Sequence, residues 1–88
     1  MDDLEQMRRA AAITAALAHA PGPVTLLNPR PLVKVRVTYG RAIAVTPTHV
    51  LHEWVRYREW HCRWDAKRLV ERVEEGEWEG EGFDAEMG

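Results

Sequence analysis

Between residues 33 and 39 apolar and polar side chains alternate without a break, and no other feature limits the fold of this chain as much. The apolar set is Val33, Val35, Val37 and Tyr39, and the polar set between them is Lys34, Arg36 and Thr38. A period of two places the two sets on opposite faces of a β-strand. Gly40-Arg41 predicts a turn, and Ile43 and Val45 predict a returning strand, so we expect a β-hairpin over residues 32–45.

Residues 2–19 predict an N-terminal helix, because Ala, Leu, Met, Glu, Gln and Arg predominate there. The apolar half of its helical wheel consists of Leu4, Met7, Ala10, Ala11, Ile13, Leu17 and Ala18. Pro21-Gly22-Pro23 ends the helix, since proline restricts the residue before it. A helix this short is not stable alone. It therefore packs on the domain, on a partner or on a second copy, and residues 4–18 are the predicted surface for a homo-oligomer.

Two structures are open for the segment after the hairpin, which follows a Pro-rich linker with a short strand at residues 21–31. In one, residues 50–57 and 60–65 are strands, which directs Trp60, Cys62 and Trp64 to one side and His61, Arg63 and Asp65 to the other. In the other, Thr46 caps one long helix over residues 47–75. The abundance of Val, Trp and Tyr favours the strands, so the main prediction is a small β domain at residues 32–73.

The order of short segments between Val33 and Val73 resembles a small SH3-like barrel of the Tudor or KOW kind. The matching segments are Val33-Lys-Val-Arg-Val37, Ala42-Ile-Ala-Val45, Val50-Leu-His-Glu-Trp54, His61-Cys-Arg-Trp64 and Ala66-Lys-Arg-Leu-Val70. The resemblance implies five strands, a single helical turn near residues 66–69, and binding of peptides, methylated side chains or nucleic acid. We therefore expect an α+β protein: an N-terminal helix, a small antiparallel sheet or barrel, and a tail.

Charge is distributed unevenly along the chain. Residues 1–73 carry twelve basic and seven acidic side chains, a formal charge of +5, whereas residues 74–88 carry seven acids and no base. So acidic a tail, with little apolar surface, is predicted to be disordered. Trp78 and Phe83 are its aromatic exceptions, and they predict a hook for a basic groove on another protein. Two alternatives are a tail that folds back on the basic body as a competitor and a tail that only keeps the protein soluble.

Side chains suited to catalysis are scarce. The sequence contains no Ser, and its one cysteine, Cys62, lies in an apolar pattern typical of a core residue. The spacing of His49, His52 and His61 with Cys62 fits no zinc motif, and no Gly-rich phosphate loop is present. We expect no enzymatic activity, no metal and no cofactor. A single cysteine and the lack of a long apolar run indicate a cytoplasmic protein rather than a secreted or membrane protein.

In the strand interpretation one face of the domain is both basic and aromatic. Its predicted members are Lys34, Arg36, His52, Trp54, Arg56, His61 and Arg63. Arg and Trp are frequent anchors of protein interfaces, so the face predicts a non-catalytic protein-binding module, a small regulator or inhibitor such as one encoded by a bacteriophage. The alternatives are nucleic-acid binding through the same face, a structural subunit that oligomerises through its first helix, and an ordinary solvated surface with arginines paired to Glu53, Glu59 and Glu71.

Overall fold

A computed structural model describes residues 3–83 of the chain. Its elements, in chain order, are α1 (Asp3–Ala18), β1 (Thr25–Leu26), β2 (Leu32–Val35), β3 (Thr38–Val45), β4 (His49–Arg56), β5 (Glu59–Ala66) and β6 (Val70–Arg72). Single 3-10 turns lie at Lys67–Leu69 and Glu75–Glu77. The predicted α+β class is confirmed. The alternative of one helix over residues 47–75 is wrong, because β4 and β5 occupy most of that range.

The strands form one antiparallel sheet in the order β5-β4-β3-β2-β6. The short β1 also pairs with β3, beyond the end of β2, with Thr25 opposite Val45. β5 and β6 lie at the two ends of the order and do not pair with each other, so the sheet is open. Of the predicted sheet or barrel, the antiparallel sheet is confirmed and a barrel is not. The predicted single turn of helix is present as the 3-10 turn at Lys67–Leu69.

The turn between β2 and β3 lies at Arg36-Val37, so the turn predicted at Gly40-Arg41 is wrong. Val35 pairs with Thr38 across the turn, and Arg36 has the left-handed φ of 56° that a tight hairpin turn requires. The earlier turn reverses the faces of the residues that follow it. As a result Val37, predicted on the buried side with Val35, is 77 % exposed.

Two clusters of buried side chains lie on opposite faces of the sheet. The first contains Val33, Ala42 and Val50, with Leu27, Val45 and Val70 packed against it. The second contains Ile43, Ala44 and Leu51, and it is covered by Ile13, Ala16 and Leu17 of α1. The helix therefore packs on its own domain. Only the C-terminal half of its predicted apolar face is covered, since Met7 is 66 % exposed.

The first part of the acidic tail, residues 74–83, follows a defined path along the sheet, so the predicted disorder is wrong for these residues. The indole N–H of Trp78 donates to the carbonyl of Gly40 at 3.0 Å. The ring centroid of Phe83 lies 3.8 Å from the guanidinium carbon of Arg41. Both predicted hook residues therefore contact this chain's own sheet, because two aromatic rings supply the surface that the acidic composition lacked. The remainder of the predicted tail, residues 84–88, lies outside the described residues.

Candidate functional site

The hairpin of β4 and β5 carries most of the predicted binding residues. Its strands pair from Arg56 opposite Glu59 to His49 opposite Ala66, without a bulge. Successive side chains therefore alternate between the two faces along its whole length. One face, which holds Trp60, Cys62 and Trp64, is turned toward α1. The other face holds His52, Trp54, His61 and Arg63, as the strand interpretation predicted.

These four side chains, which we call the Trp54 cluster, are stacked on one another. The ring of Trp54 lies 4.9 Å from that of His52 and 5.3 Å from that of His61, with interplanar angles of 23° and 22°. The guanidinium carbon of Arg63 lies 5.3 Å from the centroid of the Trp54 ring. Such distances are those of aromatic stacking and of a cation–π contact. The cluster therefore presents a half-buried indole on which two imidazole rings are stacked, with the guanidinium of Arg63 beside it.

His52 is the one fully buried member of the cluster, and its predicted outward position is wrong. Its relative exposure is 0 %. The reason is its place in the sheet: His52 pairs with Ala42 in the middle strands, on the face where Val50 and Val33 form a core cluster. That face was expected to be solvated throughout, but the open sheet builds a second core on it. His52 therefore packs against the Trp54 ring from within the sheet and is too buried to contact a partner.

A carboxylate holds both His52 and Arg63 in position. Oδ2 of Asp65 lies 2.7 Å from Nε2 of His52 and 2.9 Å from Nε of Arg63. Burial lowers the pKa of His52 below its ordinary value and outweighs the opposing effect of its hydrogen bond with Asp65. Burial alone would raise the pKa of Asp65, but the hydrogen bonds from His52 and Arg63 hold that pKa below its usual value. At neutral pH a neutral imidazole therefore donates its Nε2–H to an ionised carboxylate.

This arrangement makes the stability of the protein depend on pH. Below about pH 6.5, the ordinary pKa of histidine, the unfolded chain takes up a proton at His52 while the folded chain keeps the imidazole neutral. The free energy of unfolding therefore falls as the pH decreases, by at most about 1.4 kcal/mol per pH unit for this one group. Asp65, whose pKa is lowered by folding, adds a further loss as the pH falls below about 4 and through its folded pKa.

Denaturant unfolding of the wild type and of His52→Gln, each at about pH 7.5 and pH 5.5, measures this contribution. We expect the loss of stability between the two pH values to be smaller in the variant, because the titrating group has been removed. An equal loss in both proteins would contradict the neutral, buried state of the imidazole.

The other predicted binding residues do not all join the Trp54 cluster. Arg36 lines a depression with Arg63, and Arg56 lines a second depression with Trp54. Lys34, in contrast, projects from the opposite face of β2 to the buried valines, and its Nζ lies 5.8 Å from the ring of Tyr39. Lys34 pairs with Tyr39 and lies on the other side of the sheet from the cluster, which shares the face of Val33 and Val50. The basic face therefore consists of the cluster with Arg36 and Arg56.

Glu53 is a buried carboxylate on the α1 side of the sheet, and the sequence interpretation considered it only as a partner of arginines on a solvated surface. Glu53 is 2 % exposed, and its Oε2 accepts from Arg30 at 2.7 Å and from Arg41 at 3.0 Å. Its Oε1 accepts from the indole of Trp60 at 2.8 Å. The signal was present in the sequence, because Glu53 lies between Leu51 and Val55 on the apolar side of an alternating strand. An acid at such a position indicates a paired, buried carboxylate and not a solvated one.

The described part of the tail, residues 74–83, runs beside the cluster. Glu79, Gly80 and Glu81 line the depression that also contains Trp54 and Arg56. The carboxylate of Glu81 accepts hydrogen bonds from the backbone at the β4–β5 turn. Acidic residues of the tail therefore lie next to the basic face, although the aromatic residues of the tail pack elsewhere on the sheet.

Within residues 3–83 no group of three or more His, Cys, Asp or Glu side chains is arranged to hold a metal ion. In the same part of the chain no helix has both the length and the apolar character needed to cross a membrane. Comparisons of the chain with protein-family models, with curated proteins and with solved structures found no match.

Proposed function

We propose that the protein is a non-catalytic protein-binding module, a small regulator or inhibitor, that contacts its partner through the Trp54 cluster with Arg36 and Arg56. The observation that supports this most is the stacking of Trp54 with His61 and Arg63 on one strand pair. Trp and Arg are the side chains that most often dominate the free energy of protein binding.

Preorganisation of the cluster is a second argument for binding. Asp65 holds Arg63 from one side, and His52 is fixed between Asp65 and the Trp54 ring. Side chains that are already ordered lose less conformational entropy when a partner arrives. Arg63 nevertheless keeps 57 % of its side chain exposed, so its charge remains available.

The charge of this surface indicates the chemistry of the partner. Arg36, Arg56 and Arg63 project around the indole, and the acids of the tail lie beside it. We infer that the partner offers an acidic surface with an apolar patch for Trp54, since complementary charge speeds association and excludes basic proteins. The resemblance of residues 33–73 to SH3-like domains is compatible with peptide binding, and it is part of this proposal.

Nucleic-acid binding is the second candidate, favoured by the cation–π contact between Arg63 and Trp54. An indole with a guanidinium beside it can stack a base and attract a phosphate. The acids of Glu79 and Glu81 next to Trp54 make the surface less attractive for phosphates. Assembly through α1 is a third candidate, supported only by the exposure of Met7.

The test compares capture of proteins from an extract of the native source by the immobilised wild type and by Trp54→Ala. We expect one protein to be retained by the wild type and its affinity to fall by about 30-fold in the variant, the loss of about 2 kcal/mol typical of a tryptophan at the centre of an interface. Leu26→Ala is the control, because Leu26 is an exposed apolar residue of β1 that belongs neither to the cluster nor to the β4–β5 turn. Thermal unfolding confirms that both variants are folded.

Equal retention of the captured protein by Trp54→Ala and Leu26→Ala would contradict the proposed surface. Titration of the wild type with single-stranded DNA and RNA at low salt separates the second candidate. Binding whose affinity falls steeply with salt, and which is lost in Trp54→Ala, would identify a nucleic acid as the partner in place of a protein.

Sedimentation of Met7→Glu tests the third candidate, because a lower mass than that of the wild type would indicate assembly through α1.

A further inference from the structure

The turn between β4 and β5 binds a carboxylate of this chain's own tail, outside the Trp54 cluster. Tyr57 and Arg58, its two residues, have φ values of 54° and 66°. Left-handed residues at both positions define the turn preferred by two-residue hairpins, but Asn and Gly are the usual occupants. A residue with a β-carbon costs roughly 1 kcal/mol or more in this conformation. The turn is therefore strained, and any group that binds it in this shape stabilises it.

Glu81 of the tail supplies such a group. Its Oε2 accepts from the backbone N–H of Tyr57 at 2.6 Å, and its Oε1 accepts from the N–H of Arg58 at 3.1 Å. Each carboxylate oxygen thus has its own N–H donor. Backbone N–H groups of consecutive turn residues can bind an anion in this way. The geometry at this turn is that of a receptor for one carboxylate.

Aromatic residues of the tail bind on either side of this carboxylate. Trp78 donates its indole N–H to the carbonyl of Gly40, and its ring meets that of Tyr39 edge-on at 6.5 Å between centroids. Phe83 lies on the guanidinium of Arg41. Arg9 of α1 donates to the backbone carbonyl of Phe83 at 2.9 Å. The two rings also contact each other, with 6.2 Å between their centroids. Neighbouring residues of β3 therefore bind the indole and the phenyl ring side by side, and the β4–β5 turn binds the carboxylate.

We propose that this surface, formed by β3, the β4–β5 turn and Arg9, is a binding site for a short acidic peptide of another protein with an aromatic residue on each side of a carboxylate. Residues 78–83 are the version of that peptide attached to this chain, and they occupy the site until the partner's segment replaces them. The site uses none of the polar groups of the Trp54 cluster, so the two can be tested separately, although the tail that fills the site borders Trp54 and Arg56.

Exchange of the tail is favoured by its composition and by its exposure. Gly80 and Gly82 flank Glu81, and glycine loses more backbone entropy on ordering than other residues do. Glu79 and Glu81 are exposed to solvent. A short tether holds the tail at an effective concentration in the millimolar range. For a free peptide with a Kd on the order of 100 μM, this competition weakens binding to the wild type by about tenfold or more.

The experiment measures binding of a fluorescent peptide of residues 74–83 to the full chain by anisotropy. One receptor is the wild type, and the other is the Trp78→Ala, Glu81→Gln, Phe83→Ala variant, in which the attached tail has lost its three contacts. We expect the peptide to bind the variant at least tenfold more tightly than the wild type. The amide resonances of Tyr57 and Arg58 should move in the variant and return toward their wild-type positions when the peptide is added.

A matched pair of peptides tests the carboxylate position. A peptide with Glu81→Gln should lose most of its affinity, whereas a peptide with Glu79→Gln, which has the same charge and composition, should bind like the original. Equal affinities of these two peptides would overturn the carboxylate site.

A folded variant that binds the original peptide no better than the wild type does would overturn the proposal as a whole. If the triple substitution prevents folding, the single variant Glu81→Gln takes its place as the receptor. Unchanged Tyr57 and Arg58 amide resonances in that variant would show that the carboxylate does not bind the turn in solution, and would equally reject the proposal.

Discussion

Replacing Gly40 with alanine is expected to destabilise the protein by about 3 kcal/mol or more. A β-carbon at Gly40 would overlap the backbone carbonyl oxygen of Glu53, and it would lie 3.1 Å from the β-carbon of Trp54. Both neighbours belong to β4, which is paired on both sides and cannot move away without breaking the sheet. Gly40 is therefore required in β3 for the close approach of β4 and not for a turn.

Denaturant unfolding of Gly40→Ala, with Gly82→Ala as the matched control, measures this effect. No atom lies within 4 Å of a β-carbon built at Gly82, so the control should change the free energy of unfolding by less than about 0.5 kcal/mol. Similar stabilities of the two variants would show that β3 and β4 are not as close as the structure places them.

The second large effect is expected at Glu53, where alanine should destabilise the protein by about 3 kcal/mol. The substitution leaves the guanidinium groups of Arg30 and Arg41 without their shared carboxylate. It also removes the acceptor of the Trp60 indole beneath α1. The loss is expected at the lower end for a broken buried ion pair, because both arginines remain about one-third exposed and water can solvate them.

Two further variants separate charge from packing at this position. Glu53→Gln retains an oxygen acceptor for Trp60 but not the charge, so its loss of stability should lie between those of the wild type and of Glu53→Ala. Glu59→Ala is the control on the same hairpin, since Glu59 is exposed and its removal should cost less than about 0.5 kcal/mol. Comparable melting of Glu53→Ala and Glu59→Ala would rule out a structural role for the buried carboxylate.

The abundance of Val, Trp and Tyr favoured the strands that carry the Trp54 cluster over one long helix, and alternation along these strands predicted which side chains share a face. Along β5 the indoles of Trp60 and Trp64 point toward α1, and His61 and Arg63 point away, as the period of two requires. The same pattern failed at the β2–β3 turn. The sequence around Arg36 contains no Gly or Asn that would predict its left-handed conformation. Gly40, the expected turn residue, is instead required because β3 lies against β4 at this position, and β4 is distant from it in sequence.

Burial of polar residues was the part of the site that could not be predicted in full. His52 belongs to an outward-facing set by alternation alone, and it is buried because the same face carries the Val50 core cluster. The path of the tail could not be predicted from the sequence either, because its contacts join Trp78 to Gly40 and Glu81 to Tyr57 across long sequence separations. Composition predicts whether a segment can fold alone, but it does not report which surface the segment finds on its own domain.

Arg9 joins parts of the protein that are distant in sequence. It forms an ion pair with Glu5, lies 5.8 Å from the centroid of the Trp60 ring, and donates to the carbonyl of Phe83. Because one guanidinium serves the helix, the sheet and the tail together, the docking of α1 and the docking of the tail are thermodynamically coupled. Release of the tail without a replacement would then loosen the first helix, and a peptide that fills the same site and accepts from Arg9 would restore its docking.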